Sequence, residues 1–323
     1  MILVTGAKGQ IGNDLVPALL ERYGQNEVIP TGIRKPKVSQ PYFHNFTLLD
    51  VTDKVAVSDF FDSYSITKVF HLAGILSARG EEDPSSCWQV NIDGLTNILD
   101  TAQEKGCKVF WPSSIAVFGP HTPKHNTPQE TILDPTTMYG VTKVAGELLC
   151  RYYADHFGVD VRSLRFPGLI SYRAHPGGGT TDYAVEIFYE ALEKGFYQCF
   201  VKPTTCLPMM YMPDAIQSIL NLMSAPPENI RVRTAYNITG TSFTASQLVA
   251  EIHKRLPSFK CSYVPDFREK IAASWPCEID DSQARNDWSW RPQYELSAIV
   301  DDMLEKLGHK MTSSGGKNHA ERS

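Results

Sequence analysis

Short apolar, β-branched segments alternate with longer amphipathic segments through the first two-thirds of the chain. Apolar runs of this kind are typical of buried parallel strands, whereas apolar positions repeated every three to four residues indicate helices packed on a sheet. The expected strands are residues 2–5, 27–31, 68–72, 108–112 and 160–165. The expected helices are residues 11–23, 54–63, 86–105 and 138–157. This alternation predicts an α/β protein with a doubly wound parallel sheet, the Rossmann fold.

The pattern becomes less regular after Pro167-Gly168, where glycines at 177–179 and several prolines interrupt it. We expect a smaller C-terminal substrate-binding lobe there. The lobe need not be contiguous, because a helix near 213–224 and a strand near 233–238 could return to the main sheet. The predicted division is 1–167 for the dinucleotide-binding domain, 168–307 mainly for the lobe and 308–323 for a disordered tail.

The first strand leads directly into a glycine-rich turn and then a helix. Gly6, Gly9 and Gly12 are followed by apolar positions at Leu15 and Leu19. Glycines let the backbone approach a pyrophosphate closely, and the positive end of the following helix favours its charge. An ordinary tight turn is the alternative explanation. The strand–turn–helix order favours dinucleotide binding.

Composition excludes some classes of protein. The 323 residues, 42% of them hydrophobic, are enough for a full core, and a net charge of −5 gives no sign of a nucleic-acid surface. Seven cysteines without close-paired spacing indicate reduced thiols in a reducing compartment. The nine histidines lack ligand spacing, and His71 is expected to be a hydrogen-bonded strand-end residue, so we expect no zinc.

No apolar segment is long enough to cross a bilayer, and a strand beginning at residue 2 leaves no room for a signal peptide. We therefore expect a soluble chain without a membrane partner. The expected compartment is the cytoplasm, or the mitochondrial matrix if the chain is eukaryotic and a presequence has been removed.

Tyr139 and Lys143 in YGVTK carry the strongest indication of chemistry. Residues four apart lie on one face of a helix, where an ammonium group lowers the pKa of a phenol and favours its base form. Abstraction of a hydroxyl proton must accompany hydride transfer from an alcohol, so Tyr139 is the predicted base. The alternative is a surface pair on an amphipathic helix.

An ordered set of motifs resembles the extended short-chain dehydrogenase/reductase superfamily. In chain order they are TGAKGQIG, Asp50-Val51, HLAG at 71–74, Asn91, Ser113-Ser114, YGVTK and RFPG at 165–168. Three further segments are similar to the L-threonine 3-dehydrogenases of that superfamily, namely PGGGTTDYA at 176–184, LPMMYMPD at 207–214 and SWPCEIDDSQARNDW at 274–288.

The resemblance implies oxidation of the C3 hydroxyl of L-threonine to 2-amino-3-oxobutanoate with NAD as the hydride acceptor. It implies that Ser114 holds the reacting oxygen near Tyr139, although Ser114 could instead simply end a strand. Lys143 would also hold the nicotinamide ribose, and Asn91 would brace the sheet or a water path. The implied cofactor-binding residues are Gly6, Gly9, Gln10, Ile11, Gly12, Arg34, Asp50, Val51, Leu72, Ala73, Tyr139, Lys143, Pro167 and Leu169.

A pocket for threonine needs hydrogen-bond donors for the carboxylate, an acceptor for the ammonium and a small wall around the methyl group. Asp182 fits the acceptor, with capping of the next helix as the alternative. Trp275 fits a wall or lid, with a core position as the alternative. The glycines at 177–179 suit a closing loop. The full predicted set is Ser77, Ser114, Tyr139, Gly178, Thr181, Asp182 and Trp275.

One position departs from the family pattern. Gly32 stands at the end of the second strand, where an aspartate that binds the adenosine ribose is expected, and Arg34 follows. Loss of that carboxylate removes an attraction for the ribose and a repulsion toward a 2′-phosphate. NAD remains the expected cofactor, and NADP use stays open.

Two other functions share parts of this pattern. A nucleotide-sugar epimerase or dehydratase would use the same Ser114, Tyr139 and Lys143, but Leu207-Pro208 supply no charge for a diphosphate. A non-catalytic dinucleotide sensor would keep the glycines without needing those three side chains. The resemblance also implies a homodimer, with helices near 86–105 and 138–157 packed across a two-fold axis.

Overall fold

A computed structural model describes residues 1–315 as an α/β protein with one large sheet and two small ones. The strands are β1 (Ile2–Thr5), β2 (Val28–Gly32), β3 (Thr47–Leu48), β4 (Lys68–His71), β5 (Lys108–Ser114), β6 (Val161–Phe166), β7 (Gly168–Ile170), β8 (Phe196–Cys199), β9 (Cys206–Tyr211), β10 (Tyr236–Asn237), β11 (Thr241–Thr244) and β12 (Lys260–Tyr263). The helices are α1 (Gly12–Tyr23), α2 (Lys54–Ser63), α3 (Ser77–Glu82), α4 (Pro84–Trp88), α5 (Gly94–Lys105), α6 (Met138–Phe157), α7 (Tyr183–Lys194), α8 (Met212–Ser224), α9 (Ala245–His253), α10 (Phe267–Ser274), α11 (Ser282–Trp288) and α12 (Leu296–Gly315).

The large sheet is parallel throughout and has the strand order β10-β6-β5-β4-β1-β2-β3. Its chain order reverses between β1 and β4, which is the position where α/β proteins bind ligands at the carboxyl ends of the strands. The predicted doubly wound sheet is confirmed. Each of the five expected strands and four expected helices has a counterpart within a few residues.

The expected helix at 86–105 is confirmed as one helical run, which begins at Pro84 and contains a segment of another helical type. A π-helical segment, Gln89–Asp93, separates α4 from α5. A π-helical turn holds about one residue more than an α-helical turn, and such turns occur often at functional sites.

Helices cover both faces of the large sheet. On one face, α2, α5 and α6 enclose a core that includes Phe60, Ile98 and Trp111. On the other face, α1 and α8 share a core with Trp288 and Trp290. The apolar stripes of these helices are buried against the sheet, as expected for amphipathic helices.

The two small sheets lie beyond β6 in the chain. One has the order β11-β9-β7, and the other pairs β12 with β8. A third core, which contains Phe188, Met209, Phe243 and Met303, packs against them. β10 forms the edge of the large sheet, so residues after 167 also contribute to it. The division of the chain into domains stays a prediction.

The predicted disordered tail from Gly308 is wrong for residues 308–315, because α12 continues to Gly315. Ile299, Val300, Met303 and Leu307 are buried at helical spacing and anchor this helix against the third core. The remainder of the predicted tail, 316–323, lies outside the described residues.

The prediction that all cysteines are reduced is also wrong. Cys206 at the start of β9 and Cys277 form a disulfide across 71 residues of sequence. The remaining five cysteines are free. The fold brings the two partners together from distant segments, so sequence spacing gave no signal.

Within residues 1–315, we find no helix with both the length and the apolar character needed to cross a bilayer.

Candidate active site

A cleft at the carboxyl ends of β1, β4 and β5 brings together most of the predicted site. Its lining includes residues from the glycine turn, from the end of β5, from the start of α6 and from the loop before α7. The predicted residues in this lining are Gly9, Gln10, Ile11, Gly12, Leu72, Ser77, Ser114, Tyr139, Lys143, Pro167, Leu169, Thr181, Asp182 and Trp275.

The glycine turn has the shape required for a phosphate. Gly6 has φ +63°, and a Cβ there would lie 2.5 Å from the Ala73 amide nitrogen. A Cβ on Gly12 would lie 2.5 Å from the Ala7 carbonyl oxygen, whereas Gly9 has only a contact of 3.2 Å with the Gly6 carbonyl oxygen. Gly6 and Gly12 therefore permit close backbone packing, and Gly9 leaves its side of the turn open.

The N-terminus of α1 lies at this turn and has no side-chain cap. By contrast, Asp53 caps α2 and Thr137 caps α6. The first amides of an uncapped helix carry a partial positive charge and donate readily to an anion. These features fit the pyrophosphate of a dinucleotide.

Tyr139 and Lys143 lie in the first two turns of α6, on one face as predicted. Thr137 Oγ1 accepts a hydrogen bond from the Gly140 amide and sets the start of the helix. A Cβ on Gly140 would lie 2.3 Å from the Ala116 carbonyl oxygen, so glycine lets α6 begin directly against the segment that follows β5. Local packing thus places Tyr139 beside Ser114.

The pKa of Tyr139 differs from the sequence expectation. Burial raises it to about 12, and a hydrogen bond with Ser114 only partly opposes this rise. The net shift is opposite to the expected direction, because desolvation of the phenolate dominates, and the lowering of this pKa by Lys143 together with the nicotinamide ring stays a prediction.

Lys143 is itself desolvated. Burial lowers its pKa to about 8. Its Nζ donates to the Pro112 carbonyl oxygen at 2.6 Å and lies 4.4 Å from the centroid of the Trp111 ring. The ammonium is therefore held at a fixed place beside the end of β5, 5.4 Å from the centroid of the Tyr139 ring.

Asn91 organises another wall of the cleft. It lies in the π-helical segment, where its Oδ1 accepts from the Ile75 amide at 2.8 Å and its Nδ2 donates to the Ile75 carbonyl at 3.1 Å. Nδ2 also donates to Thr142 on α6 at 3.0 Å. These bonds tie the loop before Ser77 to α6.

His71 meets its expectation only in part. Its Nδ1 pairs with Thr5 Oγ1 at 2.8 Å, but its buried Nε2 has no hydrogen-bond partner within the described protein. Burial and the nearby Lys143 lower the pKa of His71 to about 3, so the ring is neutral.

The loop before α7 is organised by Asp182. One carboxylate oxygen, Oδ2, accepts from the Gly177 and Gly179 amides at 2.8 and 2.7 Å. Asp182 makes no side-chain capping bond to α7, so the alternative role as a helix cap is not seen. Burial raises the pKa of Asp182, despite the opposing backbone hydrogen bonds.

Trp275 combines its two expected roles. It is buried in the core of the small sheets and also lines the cleft. It directly follows α10, whose Glu269 carboxylate accepts from the Lys202 amide at 2.9 Å and from Thr205 Oγ1 at 2.7 Å.

The other predicted site residues do not line the cleft. Ala73 donates its amide to Thr5 Oγ1 at 3.2 Å. Asp50 accepts from the amide and hydroxyl of Thr52, while Val51 is buried against Gly94. The predicted residues outside the lining are Gly6, Arg34, Asp50, Val51, Ala73 and Gly178.

Nine residues of this lining were not predicted as site residues. Six of them lie inside recognised motifs, namely Gly74, Ser113, Phe166, Gly168, Gly179 and Thr180. The other three, Leu76, Pro112 and Ile115, lie within two residues of such a motif, so position in the sequence was the available signal.

Comparisons with known proteins agree with this architecture. The sequence profile of the NAD dependent epimerase/dehydratase family matches residues 2–274. An uncharacterized epimerase/dehydratase of Staphylococcus haemolyticus is 47% identical over 311 residues, which are 96% of this chain and 98% of the relative.

Two solved structures have a similar level of sequence identity to this chain. The L-threonine dehydrogenase of Clostridium difficile is 48% identical, with a TM-score of 0.93 over 96% of this chain and 98% of that chain. A monomeric L-threonine 3-dehydrogenase from a metagenome is 46% identical, with a TM-score of 0.91 over 95% of this chain and 98% of that chain.

Proposed function

Because this chain belongs to the NAD dependent epimerase/dehydratase family, we propose that it oxidises the C3 hydroxyl of L-threonine to 2-amino-3-oxobutanoate, with hydride transfer to NAD. One observation carries the proposal: a single cleft joins the glycine turn, the Ser114, Tyr139 and Lys143 side chains, and the Asp182 loop. The similarity to proteins described as L-threonine dehydrogenases supports the choice of substrate.

Bound NAD supplies the hydride acceptor and a positively charged nicotinamide ring. Gly6, Gly9 and Gly12 let the turn accept the pyrophosphate, and the uncapped start of α1 donates to it. Pro112 orients the Lys143 ammonium, which then binds the nicotinamide ribose.

Tyr139 accepts the proton of the threonine C3 hydroxyl. Ser114 donates to the same oxygen and keeps it within reach of the phenol. Because burial holds the Tyr139 pKa near 12, the protein alone leaves this group protonated at neutral pH. Deprotonation therefore depends on positive charge from both Lys143 and the bound cofactor.

Asp182 is the proposed partner of the threonine ammonium. Two loop amides already orient one of its oxygens, and the carboxylate lines the cleft. Ser77 and Thr181 offer hydroxyl donors for the threonine carboxylate, Gly178 gives the loop its left-handed turn at φ +90°, and Trp275 closes the apolar side.

A nucleotide-sugar reaction fits the same catalytic residues less well. Leu207 and Pro208 are buried within β9, which pairs with β11, and they offer no charge to a diphosphate. A non-catalytic sensor gives no reason for the Ser114, Tyr139 and Lys143 arrangement.

We propose NAD as the main cofactor, with NADP accepted to a measurable extent. Gly32 ends β2 without a carboxylate, and Arg34 is exposed two residues later. The neutral glycine lacks the repulsion that rejects a 2′-phosphate, and Arg34 offers that phosphate a charge.

We propose a homodimer through α4, α5 and α6. Trp88 on α4 and Leu148, Tyr152 and Phe157 on α6 each expose more than two-fifths of their surface. The same face of a second copy of the chain would cover these exposed apolar side chains. Light scattering after gel filtration tests it, and a monomeric wild-type protein would contradict it.

The deciding experiment is NADH formation from NAD and L-threonine, with NADP and UDP-glucose in parallel. Tyr139→Phe should reduce kcat by on the order of 10²–10⁴-fold. Tyr23→Phe is the matched control, because Tyr23 ends α1, outside both the lining of the cleft and the proposed dimer face. Absence of threonine-dependent NADH despite NAD binding would contradict the proposed function.

A further inference from the structure

A buried ion pair lies one helical turn beyond Lys143. Glu147 on α6 has no exposed surface, and Arg165 on β6 has only 3% exposed. The Arg165 Nε and Nη2 atoms donate to the two Glu147 carboxylate oxygens at 2.9 and 2.7 Å. Burying two charges costs desolvation energy that the pairing often only balances, so stability alone is a poor reason for this pair.

The pair is connected to the candidate catalytic residues through β5. Ser113 Oγ donates to Glu147 Oε1 at 2.6 Å. Ser113 stands between Pro112, whose carbonyl holds Lys143, and Ser114, whose hydroxyl holds Tyr139. Three successive residues of one strand therefore contact Lys143, Glu147 and Tyr139 in turn.

Arg165 completes the attachment from the neighbouring strand. It is the register partner of Ser113 in the parallel pairing of β5 with β6. Its Nη1 also donates to the Gln129 carbonyl at 2.9 Å and to Asn237 Oδ1 at 3.0 Å. The guanidinium is thereby fixed on several sides, so it fixes the Glu147 carboxylate in turn.

We propose that Glu147 and Arg165 are positioning residues for the reaction, because they hold the end of β5 at the place where it orients both Lys143 and Tyr139. This inference rests on the proposed function. Neither Glu147 nor Arg165 lines the cleft, so the pair acts through Ser113 and the strand.

Glu147 has a second effect, on charge. The titratable groups that influence Lys143 are His71 from β4, Cys87 from α4, and Cys150 and Glu147 from its own helix. His71 is neutral, so Glu147 is the carboxylate in this set, and it favours the ammonium form of Lys143. Loss of its charge leaves Arg165 unbalanced and favours the less positive forms of both Lys143 and Tyr139.

The first test is Glu147→Gln, which keeps the shape and removes the charge. Threonine-dependent kcat should fall at least about tenfold, while the KM for NAD stays within about twofold. The pH profile of kcat/KM should move to lower pH by about half a unit or more. Asp160→Asn is the matched control, because it removes the carboxylate partner of Arg162, a buried arginine on the same strand. It should lower thermal stability without moving the profile.

A second variant, Ser113→Ala, leaves the ion pair in place and removes its link to the strand. It should lower kcat at least about threefold with little change in melting temperature. Unchanged kcat and an unchanged pH profile in both variants, with an active wild type, would overturn the inference. An inactive wild type would instead count against the proposed function.

One readout does not need turnover. The acetylation rate of Lys143 against pH, followed by peptide mass spectrometry, reports the pKa of the amine in the purified protein. Its midpoint should be lower in Glu147→Gln than in the wild type and in Asp160→Asn. Equal midpoints in all three proteins would also overturn the charge effect of Glu147.

Discussion

Reduction of the Cys206–Cys277 disulfide should destabilise the protein chiefly through its unfolded state. The bond closes a loop of 71 residues. In the chain-entropy model, closing a loop of this length raises the free energy of the unfolded state by about 4 kcal/mol. The folded segment keeps other attachments, since the Cys277 amide donates to the Lys124 carbonyl at 2.9 Å and Glu269 holds α10. For a chain of this size, we expect the melting temperature to fall by about 6 °C.

The assay compares thermal unfolding of the oxidised and dithiothreitol-reduced protein, with thiols counted in denaturant. Five thiols should titrate before reduction and seven after it, because five cysteines are free. The double variant Cys206→Ser, Cys277→Ser should match the reduced protein, and Cys261→Ser, at a free cysteine, should match the oxidised one. Equal melting temperatures in the oxidised and reduced proteins would refute the entropic reasoning. Seven thiols before reduction would refute the bond itself.

Three further predictions concern the cofactor turn and the pH dependence of stability. Gly6→Ala should abolish NAD binding in calorimetry, because the new Cβ would lie 2.5 Å from a backbone nitrogen and the residue has a positive φ. Gly177→Ala is the control and should bind NAD normally, because a Cβ there would have no atom within 4 Å. Equal NAD binding by both variants would contradict the prediction. Gly32→Asp should raise the ratio of kcat/KM for NAD over NADP at least about tenfold, and an unchanged ratio would show that this position does not select the cofactor. Burial raises the pKa of Asp14 from 3.8 to about 6, so ionisation costs the folded state up to about 3 kcal/mol above pH 6, and that cost disappears as pH falls below about 4. Asp14→Asn should therefore raise the free energy of unfolding in urea by about 1–3 kcal/mol at pH 8 but not at pH 4, and an equal effect at both values would rule out this cause.

The large sheet was predictable because its strands have short-range signals. β1, β4 and β5 are apolar runs that are buried on both faces, and glycine turns or amphipathic helices follow them. The small sheets gave no comparable signal. Their strands are short, and the register of β9 with β7 and β11 depends on segments that are distant in sequence.

Some features of the candidate site were also predictable from the sequence, and others were not. Helix geometry predicted that Tyr139 and Lys143 share one face, and the family resemblance implied that Ser114 lies beside Tyr139; all three line the same cleft. The sequence could not predict the direction of the Tyr139 pKa, because the cost of desolvation depends on what the whole fold packs around the phenol. The hydrogen bonds that Asp182 accepts from two loop amides also depend on three-dimensional packing. The same is true of the ion pair between Glu147 and Arg165.

For the C-terminal segment, the sequence predicted less regular structure than the fold contains. Polar composition after Gly308 indicated disorder, but Leu307 completes a buried stripe that supports a further helical turn. Lys310 also donates to the Tyr172 carbonyl at 3.3 Å, a contact that composition does not reveal.

The π-helical segment Gln89–Asp93 lets one helical rod hold an extra residue without changing the direction in which its two ends face. Upstream of it, α4 packs against α6, while downstream the apolar side chains of α5, including Leu95, Ile98 and Ala102, are buried against the sheet. A regular helix advances about 100° per residue, and a π-helical turn holds about one residue more than a regular turn. Deletion of one residue within the segment would therefore restore a regular helix and leave the α5 stripe facing the sheet, but it would redistribute the side chains of the segment itself. Loss of the hydrogen bonds from Asn91 to Ile75 and Thr142, rather than unfolding of α5, is the expected result of that deletion.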